Sequence, residues 1–177
     1  VTLIGILNGD NLLASPDFRA EERAWQLIMQ VAGRSGRRDK RGEVIIQTAE
    51  PQHSIYSMIG EYERVAAKLL AERKQFRYPP FVRVVKVVVR SSDKERLVDA
   101  SMQLGQQLRN RFGGRVLGPV APLIDRVRGD YRVELMLKIE VESSFSRARA
   151  ILREEIAHLR EDKSYRNITI ICDVDNM

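Results

Sequence analysis

The sequence has few features of a secreted or membrane-embedded protein. It contains one cysteine, Cys172, which cannot form a disulfide within the chain, so a disulfide-stapled scaffold is excluded. No apolar run approaches the roughly 18 residues that a membrane-spanning helix needs, and no signal-peptide pattern is present near residue 1. We therefore expect a cytoplasmic protein that works in a reducing compartment and has no membrane partner.

Charge of one sign is in only modest excess. The 177 residues carry 30 Lys+Arg and 24 Asp+Glu, a net charge of +6. This balance suggests nucleic acid as a partner without establishing it, because many globular domains carry as much charge. A hydrophobic fraction of 44% and a charged fraction of 31% exclude wholesale disorder. The length allows one domain or two small ones.

Residues 1–50 have the pattern of a strand-helix-strand unit. The segment VTLIGIL resembles a buried strand, Ser15-Pro16-Asp17 favours a helix start, and EVIIQT is a second short strand. Two short apolar strands around a helix predict a parallel sheet. A buried strand of a parallel sheet needs neighbouring strands on both sides. The sequence opens directly on such a strand, with Val1 instead of methionine. We therefore expect a fragment of a longer protein.

The remaining residues predict a long helix and an α+β domain. Residues 53–76 have the apolar period of one helix that should end before Pro79-Pro80, and we place a domain boundary at residue 78. Residues 79–177 predict the order β-α-β-β-α-β of a split βαβ, or ferredoxin-like, fold, with an irregular arm or hairpin at LGPVAPLIDRVRGDY. The last strand should place Cys172 in the core, on one side with Ile168, Ile170 and Val174.

The segment QVAGRSGR, residues 30–37, carries the most chemical information. Arg34 and Arg37 stand three residues apart among small residues, at the end of the predicted helix. Guanidinium groups in such a place bind phosphate oxygens bidentately, and an arginine presented to a γ-phosphate stabilises the charge that develops in phosphoryl transfer. The alternative is a solvated basic loop formed by Arg34, Arg37, Arg38, Lys40 and Arg41.

The same segment resembles motif VI, Q-x-x-G-R-x-G-R, of superfamily 2 helicases. With VTLIGILNGDNLL, RYPPFVRVVKV, VLGPVAPLIDRVRGDYRVELMLK and the terminal CDVDN, it resembles the primosomal protein N′ family of replication-restart helicases along essentially the whole chain. Motif VI alone occurs in many helicases, whereas its combination with YPPF, the LGP segment and the terminal D-V-D is far more specific.

The resemblance implies a domain plan and an activity. Residues 1–50 would end the second RecA-like ATPase lobe, with motifs V and VI, residues 51–78 would form a connecting helix, and residues 79–177 a C-terminal domain that binds DNA and partners. The implied activity is that of a 3′→5′ DNA helicase, dependent on ATP and magnesium, that remodels stalled forks and assembles the primosome at the bacterial nucleoid. The implied catalytic residues are Arg34 and Arg37, and the implied nucleotide-binding residues are Gln30, Gly33, Gly9 and Asp10.

Several parts of such an enzyme are absent from the sequence. Neither a G-x-x-x-x-G-K-[ST] phosphate loop nor a D-E-x-H acidic motif occurs. One cysteine cannot hold the zinc that the resemblance implies for the parent protein, so zinc is not expected in this chain. Asp173 and Asp175 share a strand face, but two carboxylates are too few for a metal site. We expect no ATP hydrolysis by this chain alone.

Arginines of the second half are candidate contacts to DNA and to partner proteins. The candidates for phosphates of forked and single-stranded DNA are Arg109, Arg111, Arg115, Arg126, Arg128 and Arg132. The alternative is surface charge paired with Asp125, Asp130 and Glu134. The resemblance also implies that single-stranded-DNA-binding protein, among other primosome proteins, binds through its acidic tail near Arg147, Arg149 and Arg153, where the alternative is a solvated helix face.

Three functions remain open from the sequence. The first is a part of an ATP-dependent DNA helicase. The second is a stand-alone module that binds nucleic acid and proteins without catalysis. The third is a superfamily 2 helicase that acts on RNA, because motif VI does not distinguish the two substrates.

Overall fold

A computed structural model of the protein describes residues 3–35, 42–127 and 129–174. The chain divides into two compact units, Val1–Phe76 and Arg77–Asn176. Each unit combines helices with strands, so the predicted mixed α/β class is confirmed.

The first unit is built on a parallel pair of strands. Its elements are β1 (Leu3–Ile6), α1 (Asp10–Leu13), α2 (Ala20–Ala32), β2 (Glu43–Ile46), α3 (Ser54–Ser57) and α4 (Tyr62–Gln75). β1 and β2 run in parallel, with Leu3 opposite Glu43 and Ile6 opposite Ile46. The predicted parallel connection is present, and among the described residues of this unit the two strands form a pair, not the larger sheet of a RecA-like lobe.

Helix α2 begins at Ala20, so the start predicted at Ser15-Pro16-Asp17 is wrong. Asp17 closes a turn instead: its Oδ1 accepts a hydrogen bond from the Arg19 N–H at 3.0 Å, and its carbonyl accepts one from the Ala20 N–H at 2.8 Å. Aspartate competes for backbone donors in this way before a helix begins. The buried stripe of α2 consists of Ala20, Ala24, Trp25 and Ile28.

The prediction of one helix over residues 53–76 is also wrong. The structure has two helices there, α3 and α4, because Gly60 between them adopts a φ of +86° that no helix interior allows. Tyr62, which the apolar period places on the buried face, is 69% exposed after this break. The two helices still bury a common cluster, formed by Trp25, Ile55, Met58, Val65 and Leu69.

The second unit is an α+β domain around an antiparallel sheet. Its elements are β3 (Val82–Ser91), α5 (Lys94–Phe112), β4 (Val116–Val120), β5 (Arg126–Val127), β6 (Asp130–Glu140), α6 (Phe145–Glu161) and β7 (Thr169–Val174). The strand order is β4-β6-β3-β7, β5 pairs with β6, and all of these pairings are antiparallel. The predicted order of elements is present, with β5 as an addition.

The core of this unit lies between the sheet and its two helices. Cross-strand neighbours of the central pair β3 and β6, such as Val87 opposite Leu135 and Val89 opposite Val133, are buried. They share one apolar cluster with the buried residues of α5 and α6. In the apolar cluster, β3 contributes Val85, Val87 and Val89, alternate residues of one parity, as expected for side chains on one face of a strand.

The prediction that Cys172 lies in the core is wrong. Cys172 and Val174 are exposed, whereas Ile168, just before β7, is buried. β7 lies at the edge of the sheet, where one flank has no neighbouring strand in the described part of the chain. Alternation identifies which residues share a face, but an edge strand receives less cover than a central one.

An irregular segment joins β4 to β6, as predicted for an arm or hairpin. We call residues 119–127 the arm; it begins with the last two residues of β4. Its last two residues form β5, which folds back on β6 with Arg126 opposite Tyr131 and Val127 opposite Asp130. Both ends of the arm therefore lie beside β6, because β4 also pairs with that strand.

Candidate functional site

Helix α2, which leads into QVAGRSGR, is fixed by contacts with α3 and α4. The indole N–H of Trp25 donates a hydrogen bond to the Met58 carbonyl at 3.0 Å in a buried position. Glu21 forms an ion pair with Lys68 of α4, and Glu22 forms one with Arg73. The residues at the end of α2 therefore extend from a firmly held backbone.

The end of α2 brings the first motif residues to the surface. Gln30 lies in its last turn and Arg34 one turn later, and both are exposed. The Gly33 N–H donates to the Met29 carbonyl at 2.9 Å, and the Ser35 hydroxyl donates to the Ala32 carbonyl at 2.7 Å, which tightens the turn. This arrangement presents a guanidinium group with multiple donors to solvent.

The loop after α2 contains two of the predicted site residues, Gly33 and Arg37. Gly33 has a φ of −64° and a Cβ there would make only ordinary contacts, the nearest to Met29 O at 3.4 Å, so the fold does not require glycine at this position. Arg37 lies outside the described residues, as do Arg38, Lys40 and Arg41. The pairing of Arg34 with Arg37 at one phosphate stays a prediction.

Gly9 and Asp10 lie after β1 and make contacts to the segment after β2. A Cβ on Gly9 would lie 2.9 Å from the Tyr56 hydroxyl, so the position is too crowded for a side chain. Asp10 accepts hydrogen bonds from the Thr48 hydroxyl at 2.5 Å and the Ala49 N–H at 2.9 Å. The hydrogen bond from Thr48 and, to a smaller extent, the one from Ala49 hold the pKa of Asp10 below its ordinary value. Their predicted role in nucleotide binding stays a prediction.

Of the six arginines predicted to contact DNA, the five that the structure describes do not form one cluster. Arg115 holds both oxygens of Glu140 through Nε, at 3.0 and 2.8 Å, and this bond keeps the pKa of Glu140 below its ordinary value. Arg111 forms ion pairs with Glu155 at 2.7 Å and Glu154 at 3.1 Å. The acidic partners are thus not the ones considered from the sequence, and both guanidinium groups are already engaged within the domain.

Arg109 and Arg132 support the arm. Arg109 donates from Nη1 to the Gly118 carbonyl at 2.7 Å, and Arg132 donates from Nη2 to the Ile124 carbonyl at 2.6 Å. Arg132 and Glu140 both belong to β6, and eight residues of a strand span about 26 Å. The arm therefore lies at the other end of β6 from the Glu140 ion pair.

Arg126, one of the arginines predicted to contact DNA, lies on the arm and is exposed. Its Cζ atom is 5.0 Å from the centre of the Tyr131 ring, and the Lys94 ammonium is 5.7 Å from the same ring. Such cation–π contacts orient a charged group without neutralising it. Arg128 lies outside the described residues.

The three arginines predicted to bind a partner protein are all exposed on α6. Arg149 and Arg153 are four residues apart and share one face of the helix. Arg147 lies on another face, where it lines a recess of about 350 Å³ together with Arg111, Arg115 and the apolar side chains of Phe112, Ile139 and Ile151. The structure therefore does not bring the three together.

The apolar tip of the arm is a feature that sequence reasoning missed. Leu123 is 89% exposed and Ile124 is 63% exposed, although both are large aliphatic residues. The available signal was an apolar pair between Pro122 and Asp125, in a segment with no helical or strand period to account for it.

The described ranges contain neither a candidate metal cluster nor a candidate membrane-spanning helix. Among residues 3–35, 42–127 and 129–174, no three His, Cys, Asp or Glu side chains come together in an arrangement that could hold a metal ion. His53 accepts a hydrogen bond at Nδ1 from the Ile55 N–H at 3.3 Å, which caps α3. No helix in the same ranges is both long and apolar enough to cross a membrane.

Comparison with known proteins gives a consistent result. Residues 74–177 match the family model described as the primosomal protein N C-terminal domain. The chain is 41% identical to Replication restart protein PriA of Treponema pallidum over 77% of its length, and 36% identical to that of Haemophilus influenzae over 99%. It is 31% identical to the Bacillus subtilis protein over 99%. The chain spans 21% to 24% of the length of these curated relatives.

A two-unit α/β chain with this C-terminal domain falls in the class of primosomal proteins. The family model covers more than half of the chain, including the whole described part of the second unit. The chain belongs to the primosomal protein N family, and the resemblance stated from its motifs is confirmed.

Proposed function

We propose that the chain is the C-terminal part of an ATP-dependent 3′→5′ DNA helicase that restarts replication at stalled forks and assembles the primosome. The family membership supports this proposal, as do relatives named for replication restart, of which the chain covers about a fifth to a quarter. Residues 1–50 would end the second RecA-like lobe, residues 51–78 would connect, and residues 79–177 would form a ferredoxin-like accessory domain. The protein would work in the cytoplasm, at the nucleoid.

In this proposal the end of α2 supplies one wall of a nucleotide site. The observation that carries it is the exposure of Gln30 and Arg34 one turn apart on a helix held by Trp25. ATP with magnesium would supply the phosphoryl group to be transferred. Arg34, with Arg37, would donate N–H groups to its phosphate oxygens, and Gln30 would orient a neighbouring polar atom. Gly9 and Asp10, which follow β1, would belong to the same nucleotide site.

The second unit would bind DNA and partner proteins. Arg126 on the arm, with Arg128, would contact phosphates, since the arm is exposed and its charge is held in place by Tyr131. Arg109 and Arg132 would serve the same surface by fixing the arm, while Arg111 and Arg115 would contact anions only in competition with their glutamates. The acidic tail of single-stranded-DNA-binding protein would bind near Arg147, Arg149 and Arg153. Zinc would belong to the rest of the parent protein.

The catalytic part of the proposal is tested in the full-length protein. Replacing Arg34 by alanine should abolish DNA-stimulated ATP hydrolysis, and Arg34→Lys should restore little of it, because a lysine cannot bind a phosphate bidentately. Arg64→Ala, which removes an exposed arginine of α4, serves as the control. Hydrolysis by Arg34→Ala at the wild-type rate would contradict the proposed role. The 177-residue chain itself should show no turnover.

The DNA-binding part is tested by fluorescence anisotropy of the 177-residue chain on forked DNA across a salt series. Each phosphate contact contributes about 0.9 to the slope of log K against log salt. Arg126→Ala should weaken binding and lower that slope by about 1, whereas Arg64→Ala should leave both unchanged. An unchanged slope and affinity in Arg126→Ala would remove the arm from the DNA-binding surface.

A further inference from the structure

The root of the arm is held in one conformation by β6 and α5. The guanidinium of Arg109 binds the Gly118 carbonyl at 2.7 Å. Pro119, the next residue, packs over Gly105 of α5, where an added Cβ would lie 3.1 Å from the proline Cδ. The absence of a side chain at Gly105 therefore makes room for the first residue of the arm.

The far side of the arm is held as well. Arg132 of β6 donates to the Ile124 carbonyl at 2.6 Å, and its own N–H donates to the Asp125 carbonyl at 2.7 Å. β5 then pairs with β6 through Arg126 and Tyr131. The backbone on both sides of the tip is fixed by hydrogen bonds, so the exposed state of the tip is a built feature of this fold.

The tip combines apolar side chains with nearby positive charge. Leu123 and Ile124 expose 89% and 63% of their surface, a placement that contributes nothing to the core. Arg126 and Lys94 are held on the Tyr131 ring close by, and Asp125 and Asp130 are the acidic groups of the same segment. An apolar surface flanked by cations is complementary to a ligand that has an apolar face and phosphates around it.

We propose that Leu123 and Ile124 pack against the exposed base pair where duplex DNA meets single strand. Inside a duplex the apolar faces of the bases are covered by stacking, and only an end or a junction leaves one free. Proteins that wedge apolar side chains between base steps of a duplex must unstack the bases at a cost in free energy, and a junction avoids most of that cost because one base-pair face is already uncovered. The phosphates next to the junction would be met by Arg126. This inference rests on the proposed DNA-binding function and adds a preference for junctions to it.

The charge around the tip favours DNA over a protein partner. A protein partner for an apolar pair needs an apolar groove and no particular charge, whereas Arg126, two residues after Ile124, and Lys94 both contact the ring of Tyr131, the residue that pairs with Arg126. Apolar contact to bases also adds a term that salt does not weaken, unlike phosphate contact. The tip and Arg126 should therefore be separable by experiment.

The test uses the 177-residue chain and forked DNA with a fluorescent base analogue at the junction pair. Binding of the wild type should raise the fluorescence of the analogue at the junction but not of one placed in the middle of the duplex. Leu123→Ser with Ile124→Ser should lose the rise and bind the fork about tenfold more weakly, the change expected for losing burial of part of two aliphatic side chains. Closed circular duplex, which has no exposed base pair, should compete with the fork for binding equally well in the wild type and in this variant.

Two further variants control for general effects. Val98→Ser with Met102→Ser removes another pair of exposed apolar residues, on α5, and should behave as the wild type. Leu123→Met with Ile124→Met keeps the tip apolar and should keep the junction signal. All variants should retain the wild-type circular dichroism spectrum, because the substituted side chains are exposed.

The outcomes separate the two proposals. If the serine variant of the tip keeps the junction signal and the fork affinity, the inference is overturned, even where Arg126→Ala still weakens binding and the DNA-binding proposal stands. If the wild type binds neither fork nor duplex, both proposals are overturned. If the signal is lost with Val98→Ser and Met102→Ser as well, the effect is not specific to the tip and the inference fails.

Discussion

Replacing Gly118 by alanine tests how the arm leaves the sheet. Gly118 lies in β4 with a φ of +91°, a backbone conformation that L side chains rarely adopt. A Cβ at this position would lie 2.7 Å from the Glu134 carbonyl oxygen and 3.3 Å from Leu135 Cα. Both atoms belong to the backbone of β6, so no side-chain rotation relieves the contact. Alanine therefore forces β4 and β6 apart.

The expected cost of Gly118→Ala has two components. Left-handed backbone costs an alanine about 1–2 kcal/mol. Displacement of packed backbone adds about 1–3 kcal/mol, the range typical of overpacked sites. The free energy of unfolding of the second unit should therefore fall by about 2–5 kcal/mol. The neighbouring ladder is already irregular between Leu117 and Val120, so the separation should spread from this point.

Gly129 offers a matched control for the first component. It has a φ of +92°, almost identical to that of Gly118, but an added Cβ would meet no atom within 4 Å. Gly129→Ala should therefore cost only the backbone part, about 1–2 kcal/mol. The difference between the two variants isolates the steric conflict with β6.

Hydrogen exchange of the amides of β6 measures this cost within the second unit. In Gly118→Ala the free energy of opening of residues 130–140 should be at least about 1 kcal/mol lower than in Gly129→Ala. Values that agree within about 0.5 kcal/mol would show that the strands accommodate the methyl group, and would refute the reasoning.

Two further changes each test a contact inside one of the two units. Trp25→Phe removes the hydrogen bond to the buried Met58 carbonyl and should lower the free energy of unfolding of the first unit by about 1–3 kcal/mol. Urea unfolding followed by circular dichroism measures this loss. As a control, Tyr62→Phe, at a ring that is 69% exposed, should change the free energy of unfolding little. In the second unit, a hydrogen bond to Asp99, together with burial, raises the pKa of Tyr165 to about 12. Because this pKa is above that of an unfolded tyrosine, near 10, the contribution is complete below pH 10 and is lost as the pH rises from about 10 to 12. The urea midpoint should fall over that interval in the wild type and less in Tyr165→Phe, and equal falls would contradict the assignment.

The sequence predicted the central elements of the second unit well. The order of elements predicted for residues 79–177 is the order observed, because each element has one face against the same core. The motif strings identified the family, since they depend on the order of residues and not on their contacts.

The errors have two causes: a local pattern that fits more than one backbone conformation, as at Gly60 and Asp17, and an exposure that depends on strand order, as at Cys172. The helix over residues 53–76 is interrupted because Gly60 adopts a positive φ that its local period does not reveal. Cys172 has the alternation of a core residue but lies in an edge strand, and strand order is set by the whole sheet. Asp17 has the position of a helix cap but forms the preceding turn.

The sequence by itself determined which segments form helices and strands around the second core, and to which family the chain belongs. The tertiary structure alone decided which arginines are engaged. Arg111 meets Glu154 and Glu155, and Arg115 meets Glu140, across 25 to 44 residues of chain, whereas Arg126 stays exposed. The physical reason is that periodicity is a property of neighbouring residues, while an ion pair or an exposed tip depends on which surfaces folding brings together.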